Sequence, residues 1–132
     1  MYLVDTNVWL EAILDQERAE EARSFLQHTE SPQLALPDFS LFSIGIILTR
    51  LKKDSLFHTF LEDTVEESGV SLIRLDSAGL NQILALRESV PLDFDDAYQY
   101  VAAQKHDLIL VSFDADFDRT EHGRKQPHQV VT

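Results

Sequence analysis

The sequence predicts an α/β protein in which a central, mostly parallel sheet lies between two layers of helices. Short apolar runs that are typical of buried strands alternate with longer segments whose apolar residues recur at helical spacing. This alternation indicates parallel strands joined by right-handed helical crossovers. The chain has 132 residues, 44% of them hydrophobic, which predicts one folded domain over residues 1–132.

The first part of the chain is predicted to contain two strands and two helices. Residues 2–4 are a short apolar run that indicates a buried strand. Residues 7–14 and 18–28 follow as helices, because their apolar residues recur at helical intervals. Pro32 then interrupts the chain, and residues 33–36 are expected to form a second strand.

The middle of the chain is predicted to be mainly helical. Asp38 or Ser40 caps a helix whose apolar positions keep a helical period. A turn at residues 53–55 separates this helix from another at residues 56–66, which ends near Gly69.

The last part of the chain returns to alternating strands and helices. Its predicted elements are a strand at residues 70–74, a helix from Asp76 or Ser77 to Arg87, a helix at residues 93–105, a strand at residues 108–111 and, in the polar tail, a last strand at residues 129–131.

The composition excludes several classes of protein. No segment approaches the roughly 18–20 apolar residues of a membrane span, and the first residues lack a signal-like pattern, so we expect a cytoplasmic protein without membrane contact. The absence of cysteine excludes disulfides, thiolate nucleophiles and cysteine-based zinc sites. The five histidines lack the spacings of a histidine zinc site.

The formal net charge of −12 limits how the protein can bind nucleic acid. So acidic a chain does not attract a polyanion through bulk electrostatics, which weighs against a general nucleic-acid coat protein. A nuclease whose acidic pocket is neutralised by divalent cations remains compatible with this charge. Two small groups of basic residues could either be solvated surface or contact the nucleic-acid backbone locally. They are Arg50, Lys52 and Lys53, and Arg119, Arg124 and Lys125.

Acidic residues stand at positions that a parallel sheet brings together. Asp5 follows the first strand, and Asp114 and Asp116 follow the strand at residues 108–111. Carboxyl ends of parallel strands share one edge of the sheet, so these carboxylates are expected to converge despite about a hundred intervening residues. Crowded carboxylates repel one another unless a cation lies between them. The pattern therefore predicts a divalent-metal enzyme that uses Mg²⁺ or Mn²⁺, which prefer oxygen ligands.

Two segments carry a resemblance to a known family. The sequence LVDTNVWL at residues 3–10 resembles the opening of PIN domains, where a strand delivers an aspartate into a metal site. The sequence LDFDDAYQYVAAQKHDLILVSFDADF at residues 92–117 resembles their second half, which closes with a Ser/Thr-x-Asp-x-Asp-Phe pattern. In order and spacing the resemblance covers nearly the whole chain, and the organisation is similar to that of VapC-type toxins of bacterial and archaeal toxin–antitoxin pairs.

The resemblance implies a PIN-like α/β/α sandwich and a metal-dependent ribonuclease. At matching positions, Asp5, Asp96 and Asp114 are the implied metal ligands, and Asp116 is an additional catalytic acid that accompanies them. The resemblance also implies an RNA substrate, single-stranded or structured, a homodimer, and an antitoxin protein whose tail covers the pocket.

Each implied ligand has a structural alternative. Asp5 could cap the helix that follows it, and Asp96 could complement a helix dipole from the first turn. Asp114 and Asp116 could be turn or capping residues.

The neighbours of these acids are open to two interpretations as well. Ser112 either orients a carboxylate or ends a strand, and Asn7 either supports the site or caps a helix. Asp93 and Asp95 are expected mainly to stabilise a helix start. Trp9 and the phenylalanines are assigned to the core rather than to base stacking.

One position departs from the family pattern. Ser43 stands where toxin-type PIN domains carry a glutamate, one turn into the helix after the second strand, and serine supplies no negative charge. Asp38, Asp95 or Asp116 could take up that role, although Asp38 is favoured as a helix cap. Two hypotheses follow: an active ribonuclease, or a PIN-fold protein that has lost catalysis and binds RNA or protein.

Other families with acidic or phosphate pockets fit less well. A receiver domain needs a paired acidic motif after its first strand, and a haloacid-dehalogenase-like phosphatase needs Asp-x-Asp there. This chain has Asp5-Thr6-Asn7 at that point. A glycine-rich phosphate loop followed by Lys-Ser/Thr is absent from the sequence, which contains only four glycines.

Overall fold

The computed structural model describes residues 1–131 and confirms the predicted α/β architecture. Thr132, the last residue of the predicted domain, lies outside the described residues. The strands are β1 (Tyr2–Val4), β2 (Leu34–Pro37), β3 (Ser71–Ile73) and β4 (Ile109–Val111). The helices are α1 (Thr6–Leu14), α2 (Ala19–His28), α3 (Asp38–Arg50), α4 (Asp54–Phe60), α5 (Ser77–Ser89), α6 (Phe94–Lys105) and α7 (Pro127–Val130).

The strands form one parallel sheet in the order β3-β2-β1-β4. Val4 pairs with Val111 at the ends of β1 and β4, so the segments that follow these two strands leave the sheet side by side. The backbone N–H of Asp5 extends the pairing by donating to the carbonyl of Val111 at 3.0 Å. Sheet topology therefore brings the first and last acidic segments of the chain to one edge.

Two apolar cores cover the two faces of the sheet. Successive side chains of a strand point to opposite faces. Val4 packs into one core with Phe25 of α2, and Leu3 packs into the other with Ile83 of α5 and Val101 of α6. The central strand β1 is thus held between both helical layers, which gives the residue after it a rigid support.

The helices agree with the sequence prediction to within a few residues. The helix predicted at residues 56–66 begins earlier, at Asp54, and its second half is a π-helical turn over Leu61–Glu66. The longest helices, α3 and α5, have 13 residues each. No helix in residues 1–131 combines the length and apolarity needed to cross a membrane.

The predicted strand at residues 129–131 is wrong, because the chain forms the short helix α7 there. Gln126 and Gln129 form a reciprocal capping box at its start, and Pro127 occupies the first turn, where its missing N–H costs nothing. In this part of the chain it is Lys125 that pairs with the sheet, through an isolated parallel bridge to Val111 of β4. Two valines in a row suggested a strand, but the local cap favours a helix.

Candidate metal centre

An acidic cavity of about 320 Å³ lies where the carboxyl ends of β1 and β4 meet the first turns of α3 and α6. Ligands of parallel α/β sheets bind at such an edge. Four carboxylates line the cavity, those of Asp5, Asp95, Asp96 and Asp114. No lysine or arginine is among the described residues that line it.

Asp5 is the most deeply buried of these acids, with 6% of its surface exposed. It stands at the N-cap position of α1, yet its side chain makes no capping hydrogen bond. Its Oδ2 instead accepts a hydrogen bond of 2.7 Å from the Ser112 hydroxyl. Burial raises the pKa of Asp5 to about 6, although the Ser112 hydrogen bond opposes the increase. The carboxylate is therefore oriented toward the cavity site rather than used as a helix cap.

Ser112 connects the two acidic segments through its fully buried hydroxyl. Its Oγ donates to Asp5 and accepts from the backbone N–H of Asp114 at 2.9 Å and from Asn7 Nδ2 at 3.3 Å. The Asn7 Oδ1 in turn accepts from the N–H of Phe113 at 3.3 Å. These bonds fix the loop after β4 against the start of α1, so both predicted supporting residues belong to one network.

Asp96 lies in the first turn of α6 and is half-buried. The pKa of Asp96 is raised to about 7. Burial is the largest cause, and the nearby carboxylates of Asp114, Asp95 and Asp5 contribute to the same shift. These causes describe a partly buried carboxyl that is crowded by like charges. Helix-dipole stabilisation alone would lower the pKa of this carboxyl, which is the opposite direction.

Asp114 and Asp116 follow β4 and are linked to each other. The Asp114 Oδ1 accepts the backbone N–H of Asp116 at 2.8 Å, so Asp114 also forms the turn that was considered from the sequence. Asp116 does not line the cavity, and its Oδ1 pairs with Arg119 at 2.9 Å. Asp116 is still close to the site, because carboxylate oxygens of Asp96, Asp114 and Asp116 lie within 4.8 Å of one another.

Asp95 lines the cavity, although the sequence predicted mainly helix stabilisation for it. Its charge raises the pKa of both Asp5 and Asp96. Asp93, for which helix stabilisation was also predicted, precedes α6 and does not line the cavity. Both side chains are exposed, and carboxylate oxygens of Asp93, Asp95 and Asp96 lie within 4.8 Å of one another.

Ser43 lines the cavity, as expected for the position at which PIN toxins carry a glutamate. Asp38 does not line it. The Asp38 Oδ1 accepts a hydrogen bond of 2.7 Å from the Tyr98 hydroxyl and another of 2.7 Å from the backbone N–H of Phe39. The Asp38 carboxylate is thus engaged by hydrogen bonds outside the cavity lining.

The donor set fits a hard divalent cation. The converging groups are carboxylate oxygens, which Mg²⁺ and Mn²⁺ prefer. Gln99, a buried side chain that lines the same cavity, leaves its Oε1 without a hydrogen-bond partner among the described residues. Crowded negative charge and an unpaired buried oxygen both cost free energy, and a cation with its water ligands would offset both.

The PIN domain family model matches residues 2–123 of this chain. No curated protein matches the sequence significantly. The matched range includes every residue that lines the acidic cavity.

Several solved structures share the fold over nearly the whole chain. Mycobacterium tuberculosis VapC20, a Sarcin-Ricin loop cleaving toxin, aligns with a TM-score of 0.81 and 16% identity over 96% of this chain and 100% of its own. Neisseria gonorrhoeae FitAcB aligns with a TM-score of 0.78 and 22% identity over 97% and 99% of the two chains. A chain of a Klebsiella pneumoniae toxin–antitoxin complex aligns with a TM-score of 0.75 and 21% identity over 96% of this chain and 98% of its own. At such identities the likeness establishes the fold.

Proposed function

This chain belongs to the PIN domain family, and from its acidic cavity we propose that it is a Mg²⁺- or Mn²⁺-dependent endoribonuclease that hydrolyses RNA phosphodiester bonds. The observation that carries the proposal is the convergence of Asp5, Asp96 and Asp114 on one cavity, from segments up to 109 residues apart (114 − 5). Purely structural roles do not explain why three carboxylates share a site in which burial, and after it repulsion between the acids, raises the pKa of Asp96.

The proposed metal ligands are Asp5, Asp96 and Asp114, with Asp116 as a helper. A bound divalent cation makes water a stronger nucleophile at neutral pH and stabilises charge on the scissile phosphate. Ser112 keeps the Asp5 carboxylate in one orientation through its hydrogen bond of 2.7 Å. Positioning of this kind is needed because loosely held ligands bind a cation weakly.

Asp95 is proposed as the acid that compensates for Ser43. Both residues line the cavity, and Asp95 is the remaining carboxylate there once the three ligands are assigned. A carboxylate at this place can accept hydrogen bonds from water near the cation or carry part of the negative charge that a glutamate at position 43 would supply.

A toxin role, with RNA as substrate, is the more specific part of the proposal. VapC20 cleaves the Sarcin-Ricin loop, and the Klebsiella protein was solved with its antitoxin. By analogy we propose that this chain pairs with an antitoxin protein and acts as a homodimer in the cytoplasm.

The experiment that tests the proposal is cleavage of a structured RNA in the presence of Mn²⁺. The wild-type protein should cleave the RNA, and chelation should stop the reaction. Asp5→Asn and Asp96→Asn should lose the activity, whereas Asp63→Asn, which removes an exposed acid that belongs to neither the cavity nor the acidic clusters around it, should retain it. Equal cleavage by all four proteins would assign the activity to a contaminant and sink the proposal.

A second candidate function rests on Ser43. The cavity lacks a carboxylate at the position where toxin-type PIN domains carry one, which favours a protein that binds RNA or another protein without cleaving. Wild-type protein that binds RNA in Mn²⁺ but gives no product at any concentration would favour this second function over the first.

A further inference from the structure

Three aromatic rings form a cluster beside the acidic cavity. Phe39 stacks on Tyr98 with 5.3 Å between ring centroids and 28° between ring planes. Phe94 completes the cluster, with its centroid 6.2 Å from Phe39 and 6.3 Å from Tyr98. The cluster connects the first turn of α3 with the first turns of α6, which are the same two turns that border the cavity.

The cluster is partly open to solvent, and one of its rings lines the acidic cavity. Phe39 is only partly buried and lines the cavity itself. Phe94 is 43% exposed and directly precedes Asp95 and Asp96 in the chain. A phenylalanine that served only the core would be expected to be buried, as Phe25 and Phe117 are.

The third ring holds the cluster rigidly. The Tyr98 hydroxyl donates to Asp38 Oδ1 at 2.7 Å and accepts the backbone N–H of Leu75 at 3.0 Å. Two hydrogen bonds fix the Tyr98 ring, and Phe39 rests on its face. The exposed rings are therefore preorganised, which lowers the entropy cost of stacking another flat group on them.

Electrostatics do not hold a polyanion at this site. The protein has a net charge of −12, and no lysine or arginine is among the described residues that line the cavity. Phosphate contacts to basic side chains usually supply most of the affinity for nucleic acid. A protein without them at its reaction centre needs another source of affinity, and stacking of bases on aromatic rings is one that does not depend on charge.

We propose that Phe39 and Phe94 form a platform beside the reaction centre on which one unpaired nucleobase of the RNA is held by stacking. The inference rests on the proposed function and names the residues that position the RNA, since a base inside an intact duplex cannot reach these rings. Phe39 and Phe94 are positioning residues. They bind the base next to the scissile phosphate and take no part in the chemistry.

A binding cycle tests the platform independently of cleavage. Wild-type protein and Phe94→Ala are titrated, with Ca²⁺ replacing the catalytic metal, against fluorescein-labelled oligoadenylate of about 12 nucleotides and a fully abasic oligomer of equal length. Loss of one stacked base is expected to weaken binding of oligoadenylate by roughly tenfold. The abasic oligomer is expected to bind both proteins equally, because it has no base to stack.

Control variants separate stacking from folding defects. Phe42→Ala removes a phenylalanine that is 63% exposed on α3 and packs against none of the three rings of the cluster, so it should bind like wild type. Phe94→Trp keeps an aromatic face and should retain tight binding. Phe94 is half-exposed, so its truncation is expected to leave the far-ultraviolet circular dichroism spectrum unchanged.

The inference is overturned if Phe94→Ala binds oligoadenylate as tightly as wild type does. It is also overturned if both oligomers lose the same affinity on substitution, or if wild type prefers a blunt duplex to the single strand. Such a result, together with intact metal-dependent cleavage by wild type, leaves the proposed function standing. Failure of cleavage with a positive binding cycle would instead refute the nuclease proposal alone.

Discussion

The starts of α3 and α6 lie at the same edge of the sheet but use their acids differently. At α3, Asp38 directs its carboxylate to Tyr98, and the residue that lines the cavity is Ser43. At α6, Asp95 and Asp96 both line the cavity. The position of an acid on its helix, rather than its presence near the sheet edge, therefore determines whether its carboxylate lines the cavity.

The largest difference between the two helix starts is expected when one acid is removed from each. Asp96→Asn should lower the cleavage rate at least about 100-fold, since even groups that only support a metal ligand cost roughly 10- to 100-fold when removed. Asp38→Asn should keep most of the activity, because an amide oxygen can still accept the Tyr98 hydrogen bond. Single-turnover rates of the two variants in Mn²⁺ measure the difference. A similar loss in both would show that the two helix starts are equivalent.

The reverse change gives α3 the acid that it lacks. Ser43→Glu should tighten Mn²⁺ binding by roughly tenfold, because ligand charge sets the affinity of oxygen sites. Ser43→Gln has nearly the same shape without the charge and should not tighten binding. Isothermal titration of the three proteins with Mn²⁺ checks this expectation. A gain in the glutamine variant would point to packing rather than charge.

The two remaining acids at the start of α6 offer a smaller, matched contrast. Asp95→Asn should reduce the cleavage rate by about 3- to 10-fold, because its carboxylate lines the cavity without being assigned as a ligand. Asp93→Asn, two residues earlier, should have a smaller effect, because this carboxylate lies near those of Asp95 and Asp96 but does not line the cavity. Steady-state cleavage assays resolve a change of this size. Equal rates in both variants would remove Asp95 from the site.

The smallest expected effect concerns stability in the absence of metal. The folded-state pKa of Asp96 is raised from 3.8 to about 7, so the folded protein binds this proton more tightly than the unfolded chain does. The charged carboxyl therefore costs stability at neutral pH, and the cost disappears as the pH falls toward 4. Asp96→Asn should raise the melting temperature by roughly 2–6 °C at pH 7.5 and by much less at pH 4.5.

Differential scanning calorimetry in chelator measures this pH dependence. Comparison of the two proteins at each pH cancels the effect of other titrating groups. Asp63→Asn is the control, because it removes an exposed acid that belongs to neither the cavity nor the acidic clusters around it. A stability gain that is largest at low pH would contradict the repulsion that we assign to the cavity.

The fold was predictable because its signals are local. Apolar runs at residues 2–4 and 108–111 give buried strands, and the rule that parallel strands end at one edge brings Asp5 and Asp114 together. The family resemblance supplied Asp96. The predicted strand at residues 129–131 failed because the capping box of Gln126 outweighs the strand preference of two valines.

Features that depend on distant partners were not predictable from the sequence. The hydrogen bond from Tyr98 to Asp38 joins residues 60 positions apart, and it holds the Asp38 carboxylate outside the cavity lining. Asp93 and Asp95 carry the same chemistry, but of the two Asp95 lines the cavity and Asp93 does not, a difference that depends on how α6 packs against the sheet. The exposure of Phe94, which was assigned to the core, likewise follows from how α3 and α6 meet.

A crystal structure of the protein soaked in Mn²⁺, with the ion located by its anomalous signal, tests the central claim most directly. Our account predicts a peak in the acidic cavity, with carboxylate oxygens of Asp5, Asp96 and Asp114 at about 2.0–2.3 Å or bridged to it by a single water. A peak beside Asp38, or no peak in the cavity at a Mn²⁺ concentration that supports RNA cleavage, would contradict it.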